Sequence, residues 1–389
     1  MKAYEVRQKI KLAGLRPPGT LTLAITGACN LVCCHCWVSA GEATSSDHVP
    51  LQTIRRLVKD FAAIGGSGIR ITGGEPLCQP EWLEILQFSR SLEFKRVILQ
   101  TNAILLSDDH ITALRKIDFP GLSIQISLDG ATAATHDLVR GPGAYSGAIN
   151  GIMKLVQGGL ARRISIFFTE MRHNLLEIPA LLDFAYNIGI NTVSTGSMVL
   201  CGRASETSIL SPPGVEQYLN LLERYESDFH FRELYRKTGT VAALEWRAGN
   251  AIRQECCTFL ENPYITPSGR IYPCLLCHTD EYSVSGVFEK GFIAALDEGI
   301  HLWSSLLQIS RHRTKNIPEC NECPGKLLCA GGCMGRAWGS CGNLLAPDDR
   351  CKTRRAIYKK KHLTLPENPA THKSYPKPSV CPDTTVTTG

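Results

Sequence analysis

The sequence predicts an α/β fold in which a parallel sheet is followed by a smaller, cysteine-rich region. From residue 21 onward, short apolar strands alternate with helical segments, and six such strand–helix units are typical of a parallel sheet. Beyond residue 250 the hydrophobic periodicity weakens, and most of the seventeen cysteines lie between residues 256 and 351. We expect the core of this loop-rich region to be largely bound metal.

The predicted strands are short, and Val, Ile and Leu dominate several of them, as expected when both faces of a sheet are buried. They cover residues 21–25, 69–73, 96–102, 122–128, 163–171 and 191–199. Helical patterns cover residues 51–64, 80–92, 107–117, 145–158, 174–188 and 213–226. Ser107 is expected to start the third helix, and Pro80 suits the first turn of the second. Because parallel strands end at one edge of the sheet, ligand chemistry is expected at that edge.

Five regions are predicted along the chain. They are an N-terminal extension at 1–20, the α/β region at 21–227, a linker at 228–255, the cysteine-rich region at 256–360 and a tail at 366–389. The tail is rich in Pro, Thr, Ser and Lys, so we expect it to be disordered. Cys381 in that tail is expected to be a spare thiol.

The composition excludes several classes of protein. The 389 residues are 43% hydrophobic and 20% charged, which suits a folded protein of about two domains. The formal net charge of +6 is spread out, so we expect no nucleic-acid partner. No apolar run approaches the roughly 18 residues that a membrane span needs. The charged start lacks a signal peptide, so we expect a cytoplasmic protein whose cysteines bind metal and form no disulfides.

The most informative motif follows the first predicted strand. Cys29, Cys33 and Cys36 have the spacing Cys-x3-Cys-x2-Cys. Three thiolates on one short loop can hold three irons of a 4Fe–4S cluster and leave the fourth iron open to an outside molecule. Zinc is the alternative, although zinc sites usually combine paired Cys-x2-Cys hooks into a set of four ligands.

This motif, including His35 before the last cysteine, resembles that of the radical S-adenosylmethionine (radical SAM) superfamily. The resemblance implies a partial (β/α)6 TIM-like barrel, with SAM bound at the open iron of the 4Fe–4S cluster. It also implies that SAM is cleaved reductively to a 5′-deoxyadenosyl radical, which abstracts hydrogen from an unactivated C–H bond.

Further positions match SAM-binding elements of that superfamily. The segment after the second strand consists of Gly73, Gly74, Glu75 and Pro76, and by the resemblance it binds the amino group of the SAM methionine. Ser127 and Arg140 would hold the methionine carboxylate, Arg140 through its charge and fork geometry. Asn102 and Asp129 end the third and fourth strands and would lie near the ribose or the substrate. Both are also residue types that cap helices, so that alternative stays open.

The cysteines of the second region follow a longer pattern. It runs from Cys257 through Gly269-x4-Cys274 to Cys320-x2-Cys323-x5-Cys329-x3-Cys333 and Cys351. The pattern resembles the SPASM domain, which extends radical SAM enzymes that modify peptides and proteins. This domain normally carries two auxiliary 4Fe–4S clusters, so the resemblance implies a small cysteine-rich, loop-rich iron–sulfur domain. Structural zinc is the alternative.

The resemblance also implies two sets of ligands. One auxiliary cluster would be held by Cys320, Cys323, Cys329 and Cys351, and part of the other by Cys274, Cys333 and either Cys256 or Cys257. The fourth ligand of this other cluster is open, because Cys277 forms a Cys-x2-Cys pair with Cys274 but the cluster could instead keep an open iron. The remaining cysteines are expected to be small buried hydrophobes, and they are Cys34, Cys78, Cys201 and Cys341.

Three functions are consistent with these motifs. The first is a radical SAM maturase that oxidatively modifies a ribosomally made peptide or protein. The second is the same chemistry on a tetrapyrrole side chain of the haem pathway, and the third is non-catalytic iron–sulfur electron transfer. The intact segment Gly73–Pro76 argues against the third, because a relay needs no SAM site.

The substrate is less well defined than the chemistry. In sulfatase maturases an aspartate follows the Gly-x4-Cys cysteine, but Leu275 has that position here, so no catalytic base is identified. The first strand begins near residue 21, so a peptide substrate would need a separate recognition protein or direct docking. A flavodoxin- or ferredoxin-like electron donor is also expected.

Overall fold

The computed structural model describes residues 2–41, 48–249 and 251–364. The predicted tail at 366–389, with Cys381, lies outside the described residues. Within them, nine strands form one sheet. The strands are β1 (Thr20–Ala24), β2 (Gly68–Thr72), β3 (Arg96–Thr101), β4 (Leu122–Ser127), β5 (Ile164–Glu170), β6 (Val193–Ser197), β7 (Gly239–Thr240), β8 (Tyr264–Ile265) and β9 (Ile271–Tyr272).

The sheet is parallel over most of its width. Its strand order is β7-β6-β5-β4-β3-β2-β1-β8-β9, and only β9 pairs antiparallel with its neighbour among the described strands. The described sheet is open, with β7 and β9 at its two ends, as expected of a partial barrel. The predicted α/β class is confirmed, and β1 to β6 begin and end within two residues of their predicted bounds.

Helices connect the strands and cover the sheet. They are α1 (Ala3–Leu12), α2 (Leu51–Ala63), α3 (Trp82–Ser91), α4 (Asp108–Ile117), α5 (Ala133–Arg140), α6 (Ala144–Gln157), α7 (Ile178–Asn187), α8 (Arg203–Glu206), α9 (Val215–Ser227), α10 (Phe229–Thr238), α11 (Ala242–Ala248), α12 (Val287–Lys290), α13 (Phe292–Asn316), α14 (Lys326–Cys329), α15 (Met334–Cys341) and α16 (Cys351–Thr364). None of the helices in the described part of the chain has the length and apolar composition that a membrane span requires.

Burial explains why the strands could be predicted. In β3, the consecutive residues Val97, Ile98 and Leu99 are all buried, so both faces of the strand are covered. The start of α4 also follows the sequence signal, because the Ser107 hydroxyl accepts a hydrogen bond from the His110 backbone N–H at 3.2 Å. These elements place the carboxyl ends of β1 to β4 along one edge of the sheet.

Several helices have no counterpart in the sequence prediction. The longest is α13, with 25 residues, which buries Phe292, Leu296, Trp303 and Leu307 at helical spacing and packs against α1 and α2. Residues 228–255, predicted to be a linker, contain α10, β7 and α11. The cysteine-rich region begins with β8, which pairs parallel with β1 and so continues the sheet. The division of the chain into domains stays a prediction.

Candidate active site

The first cysteine loop, residues 25–41, leaves the carboxyl end of β1. The Thr26 hydroxyl fixes its start by accepting a hydrogen bond from the Ala28 backbone N–H at 3.0 Å and contacting His48 Nδ1 at 2.9 Å. The backbone N–H of Cys29 donates to the Gly41 carbonyl at 2.7 Å. The two ends of the loop are therefore tied together, with the three motif cysteines between them.

The three cysteines of this loop share one electrostatic environment. Cys33 is buried, and Cys29 and Cys36 are half-buried. Burial above all, helped by the negative charges of Glu75 and the other two thiolates, raises the pKa of Cys29 to about 12. Burial also raises the pKa of Cys33, although the neighbouring cations Arg140 and Arg203 act in the opposite direction. Thiols in such a place ionise readily only when a cation such as iron binds them.

The glycines of the second motif allow two backbone segments to touch. The backbone N–H of Gly74 donates to the Thr26 carbonyl, and that of Glu75 to the Ala28 carbonyl, each at 2.8 Å. A Cβ atom at Gly73 would lie 2.4 Å from the Thr26 carbonyl oxygen, and one at Gly74 would lie 2.3 Å from the Ala28 oxygen. Glycine is therefore required here for contact with the first cysteine loop.

Glu75 links the ends of β2 and β3. Its buried carboxylate accepts hydrogen bonds from the Thr101 hydroxyl and the Asn102 backbone N–H, both at 2.7 Å. Burial raises the pKa of Glu75 to about 6 in spite of these donors. The Asn102 amide in turn donates to the Asn30 side chain in the first cysteine loop at 2.8 Å. Pro76, also buried, begins the 3-10 turn that follows.

Asp129 is the centre of a buried charge network. One carboxylate oxygen accepts from Arg140 Nε at 2.7 Å and lies 3.1 Å from His35 Nε2, and the other accepts from the Thr169 backbone N–H at 2.7 Å. Although burial raises its pKa, Arg140 and His35 hold the pKa of Asp129 well below its usual range. The His136 ring accepts a hydrogen bond from the Asp129 backbone at 3.0 Å, and burial lowers the pKa of His136 to about 4. Asp129 therefore fixes His35, which belongs to the first cysteine loop.

Ser127 ends β4 and is half-buried, opposite Phe167 of β5. The sequence-predicted residues thus reach one edge of the sheet from different elements: Gly73–Pro76 after β2, Asn102 after β3, Ser127 and Asp129 at β4, and Arg140 at the end of α5. Arg140 and Asp129 are joined directly, and Glu75 and Asn102 are joined directly.

Arg203, after β6, is a residue of this site that the sequence interpretation missed. Its side-chain Nε donates to the Cys33 carbonyl at 3.0 Å, and its backbone N–H donates to the Cys36 carbonyl at 3.1 Å. Its NH2 nitrogen is buried and has no hydrogen-bond partner within the described ranges. A Cβ atom at Gly202 would lie 2.7 Å from the Cys36 carbonyl oxygen, so the Gly-Arg pair at the end of a predicted strand was the available signal.

The four-cysteine cavity is lined by Cys320, Cys323, Cys329 and Cys351, together with Arg354 and Tyr358. Its thiols come from the turn after α13, the end of α14 and the start of α16. Burial raises the pKa of Cys351 to about 11, although the Arg354 guanidinium acts in the opposite direction. Asp348 pairs with Arg354 at 2.5 Å and so orients this cation. Four cysteines around one cavity are the donor set of a 4Fe–4S cluster.

The second cysteine group consists of Cys256, Cys274, Cys277 and Cys333. Burial raises the pKa of Cys277 well above its usual range, and the charges of Cys274 and Cys256 act in the same direction. A Cβ atom at Gly335 would lie 2.1 Å from the Leu276 carbonyl oxygen, so the start of α15, next to Cys333, is packed against this segment. Cys256 is buried and its sulfur lies 3.2 Å from the Ser310 hydroxyl, whereas Cys257 is half-buried.

The cysteines without an assigned role have separate surroundings. Cys34 packs against an apolar cluster that includes Val139 and Met171. Cys201 lies against α15, where a Cβ atom at Gly339 would be 2.7 Å from its sulfur. Cys78 is half-buried, whereas Cys341 is exposed near the end of α15, so the expectation of a buried thiol is wrong for Cys341. In the part of the chain that the structure describes, no group of three or more His, Cys, Asp or Glu side chains could hold a single metal ion.

A buried arginine joins the cysteine-rich region to the end of β6. Arg336 donates to the carbonyls of Ser197 at 3.0 Å and Met198 at 2.7 Å, and it pairs with Asp349. Breaking a buried pair of this kind by removing one partner typically costs 3–5 kcal/mol. The second cysteine group is thereby held at the same edge of the sheet as the first cysteine loop.

The chain is similar to several proteins of known class. The model of the Radical SAM superfamily matches residues 23–185. An AdoMet-dependent heme synthase of Methanosarcina barkeri is 25% identical over 355 residues, covering 87% of this chain and 98% of that protein. Mycofactocin maturase MftC of Mycobacterium tuberculosis is 26% identical over 368 residues, covering 91% of this chain and 88% of that protein.

Solved structures share the fold. The structure of native anSMEcpe with bound AdoMet and Kp18Cys peptide has a TM-score of 0.67 and 16% identity, over 89% of this chain and 97% of that chain. The match over residues 23–185, together with the motif Cys29-x3-Cys33-x2-Cys36, identifies a radical SAM domain in this chain, and the two later groups of cysteines follow the pattern of the SPASM type.

Proposed function

We propose that this radical SAM enzyme oxidatively modifies a ribosomally made peptide or protein. The observation that carries the proposal is the combination of a first cysteine loop tied to the Gly73–Pro76 segment with two further groups of cysteines in one chain. Similarity to a mycofactocin maturase over 91% of the chain supports a peptide substrate.

The first cluster would be held by Cys29, Cys33 and Cys36. The buried thiols suit iron, and the cations Arg140 and Arg203 favour the thiolate form of Cys33. When bound, the 4Fe–4S cluster and SAM supply a 5′-deoxyadenosyl radical for hydrogen abstraction. The residues of the chain orient the bound group and exclude water from it.

The proposed SAM-binding residues divide into two kinds. Gly73, Gly74, Glu75, Pro76, Asn102 and Asp129 have backbone or side-chain contacts that fix the first cysteine loop and the neighbouring strand ends. Ser127 and Arg140 are proposed to bind the methionine carboxylate, with Arg140 held in position by its hydrogen bond to Asp129. The contribution of Asp129 and Glu75 would then be orientation, since their carboxylates already have partners within the protein.

Two auxiliary clusters would complete the metal content. The four-cysteine cavity would hold one. Cys256, Cys274, Cys277 and Cys333 would hold the other, with Cys256 favoured over Cys257 because its charge acts on Cys277. Such clusters offer a route for the electron released when a substrate radical is oxidised. A flavodoxin- or ferredoxin-like protein would supply the electron for SAM cleavage, a separate protein could present the peptide, and a reducing cytoplasm would suit the clusters.

A tetrapyrrole is the second candidate substrate. It is favoured by the similarity to a heme synthase, which covers 98% of that protein. Leu275 occurs at the aspartate position of sulfatase maturases, so we expect no formylglycine formation on a sulfatase peptide.

The test compares substrates with one enzyme preparation. The anaerobically reconstituted protein is reduced with dithionite and given SAM with either a candidate peptide drawn from the small open reading frames beside its gene or a porphyrin precursor. We expect the peptide to accelerate 5′-deoxyadenosine formation and to become lighter by about two hydrogens per event, the result of one hydrogen abstraction followed by loss of an electron and a proton. Acceleration by the porphyrin precursor alone, with loss of carboxylate carbon, would replace the peptide by the tetrapyrrole.

A further inference from the structure

Arg313 lies in the last turn of α13, and its side chain is fully buried, with 0% exposure. Its Nε and NH2 nitrogens donate to the Gly331 carbonyl at 3.2 and 2.8 Å, and NH2 also donates to the Ala346 carbonyl at 2.9 Å. The NH1 nitrogen is buried and has no hydrogen-bond partner among residues 2–41, 48–249 and 251–364. The guanidinium therefore keeps donor capacity that the described protein does not use.

The charge of Arg313 is also uncompensated by a carboxylate. Three other arginines with largely buried side chains have one: Arg140 pairs with Asp129, Arg336 with Asp349 and Arg354 with Asp348. Buried Arg70 forms no ion pair with a described carboxylate and donates to the Thr22 hydroxyl. Arg313 forms no ion pair with any described Asp or Glu. A buried cation is costly unless a negative charge lies close by, because neutral carbonyls replace only part of its hydration. The burial of Arg313 thus indicates a negatively charged neighbour of another kind.

Two thiols near Arg313, one from each cysteine set, supply candidates. Cys320 of the four-cysteine cavity lies in the turn after α13, where its backbone N–H donates to the Ile317 carbonyl and that of Ile317 donates to the Arg313 carbonyl, at 2.9 and 3.0 Å. Cys277 of the second cysteine group lies against the start of α15, next to Cys333, since a Cβ atom at Gly335 would be 2.8 Å from its backbone nitrogen. The charge of Arg313 acts on both thiols. Gly331, which accepts from Arg313, lies between Cys329 and Cys333 in the chain and borders the four-cysteine cavity.

The approach of Arg313 to this segment depends on glycine. Gly331 has φ +87°, and a Cβ atom there would lie 2.8 Å from Arg313 Cβ. The guanidinium is thereby held at the short segment that connects Cys329 of the four-cysteine cavity to Cys333 of the second cysteine group.

We propose that Arg313 is a shared positioning residue for both auxiliary clusters, compensating their negative charge and raising both reduction potentials. This rests on the proposed function, in which the two cysteine sets hold 4Fe–4S clusters. A thiolate-bound cluster is an anion, and reduction makes it more negative, so a nearby fixed cation stabilises the reduced form. One residue placed between two clusters would act on both, and would leave the more distant cluster of the first cysteine loop unaffected.

The experiment compares Arg313→Gln, Arg313→Lys and the matched control Arg311→Gln in the full-length, reconstituted enzyme. Arg311 is two residues earlier on the same helix, is partly exposed and pairs with Glu255 at 3.5 Å, so its loss removes one positive charge from the same helix while the contacts of Arg313 stay in place. Iron and sulfide are counted, and each cluster is titrated with reductant while electron paramagnetic resonance is recorded. The signal that changes when SAM is added belongs to the cluster of the first cysteine loop and is the internal reference.

We expect Arg313→Gln to lower the potentials of both auxiliary clusters, or to cause loss of both, with the SAM-responsive cluster unchanged. Arg313→Lys keeps the positive charge but loses the forked guanidinium group. It should retain both clusters, with reduction potentials closer to those of the wild type than the potentials of Arg313→Gln. The control Arg311→Gln should have the cluster content and potentials of the wild type. A shift in one auxiliary cluster only, no shift in either, or equal loss from the Lys and Gln variants would overturn the proposal. If the wild type itself lacks three clusters, the proposed function fails; if it has three and Arg313→Gln leaves their potentials unchanged, only this inference fails.

Discussion

Replacing Gly74 by Ala should disrupt the first cysteine loop while leaving the cysteine-rich region intact. The added Cβ atom would lie 2.3 Å from the Ala28 carbonyl oxygen and 2.7 Å from that of Gly27. Because ordinary contacts are near 3.5 Å, one of the two backbone segments has to retreat by about 1 Å. Both segments are backbone, so no side-chain rotation can relieve the contact.

The magnitude follows from two contributions. Overpacking typically costs about 1–3 kcal/mol. The hydrogen bonds from Gly74 to the Thr26 carbonyl and from Glu75 to the Ala28 carbonyl would lengthen together, and each is worth about 1 kcal/mol. We therefore expect the variant to destabilise the site by about 3–5 kcal/mol, enough to prevent stable binding of the first cluster.

The assay is the iron content and SAM-dependent paramagnetic resonance signal of the reconstituted variant. We expect loss of about four irons, the content of one cluster, together with loss of 5′-deoxyadenosine formation. Gly41→Ala is the matched control, because it lies on the same loop and a Cβ atom there would meet none of the described residues within 4 Å. Wild-type iron content and SAM cleavage in Gly74→Ala would refute the close-packing argument.

Three further predictions concern single side chains. Arg140→Ala leaves the Asp129 carboxylate buried without its main partner, so urea titration of the cluster-free chain should show a free energy of unfolding lower by about 3–5 kcal/mol. An unchanged free energy of unfolding would mean that this ion pair does not stabilise the fold. The pKa of Glu75 is about 6 in the folded chain and near 4.3 in the unfolded chain. Between about pH 4 and pH 6 the folded chain therefore binds more protons than the unfolded chain, and its free energy of unfolding should fall as the pH rises through this range. In Glu75→Gln this part of the pH dependence should disappear, and an equal slope in both proteins would contradict the assignment. Cys277→Ala should make one auxiliary cluster labile or shift its Mössbauer signal, whereas exposed Cys341→Ala should not, and two unperturbed auxiliary signals would eliminate Cys277 as a ligand.

The sheet could be predicted because its signal is local. Val97, Ile98 and Leu99 form a short apolar run whatever the rest of the chain does, and β3 was predicted to begin at the residue where it does begin. By contrast, α13 was missed although its buried positions are spaced as in a helix. Segments with weak hydrophobic periodicity, which carry the cysteines, lie on both sides of α13. Averaged over the whole region, the sequence pattern is therefore that of a loop.

The site was predictable in its residue types and less so in their roles. The sequence identifies Glu75 and Asp129 as polar groups at strand ends. It does not show that Thr101 and Asn102 donate hydrogen bonds to Glu75. Nor does it show that His35 and Arg140 contact Asp129. Such contacts join residues that are distant in the chain. Their pairing depends on the register of the sheet, which spacing alone does not reveal.

Arg203 and Arg313 were missed for the same physical reason. Neither lies in a recognisable motif, and each acquires its importance from the cysteine segment that folds against it. The choice between Cys256 and Cys257 is similar, because adjacent side chains diverge and only the folded chain shows which of them is buried against Ser310 and acts on Cys277.

The central claim is that Cys29, Cys33 and Cys36 hold a SAM-binding cluster that is separate from two auxiliary clusters. The most direct measurement compares the wild type with the variant in which all three are changed to Ala, by iron and sulfide analysis and by 5′-deoxyadenosine formation with dithionite and SAM. The account predicts about 12 irons and 12 sulfides in the wild type, and about 8 of each with no 5′-deoxyadenosine in the variant, since each cluster has four of each. SAM cleavage by the triple variant would contradict it.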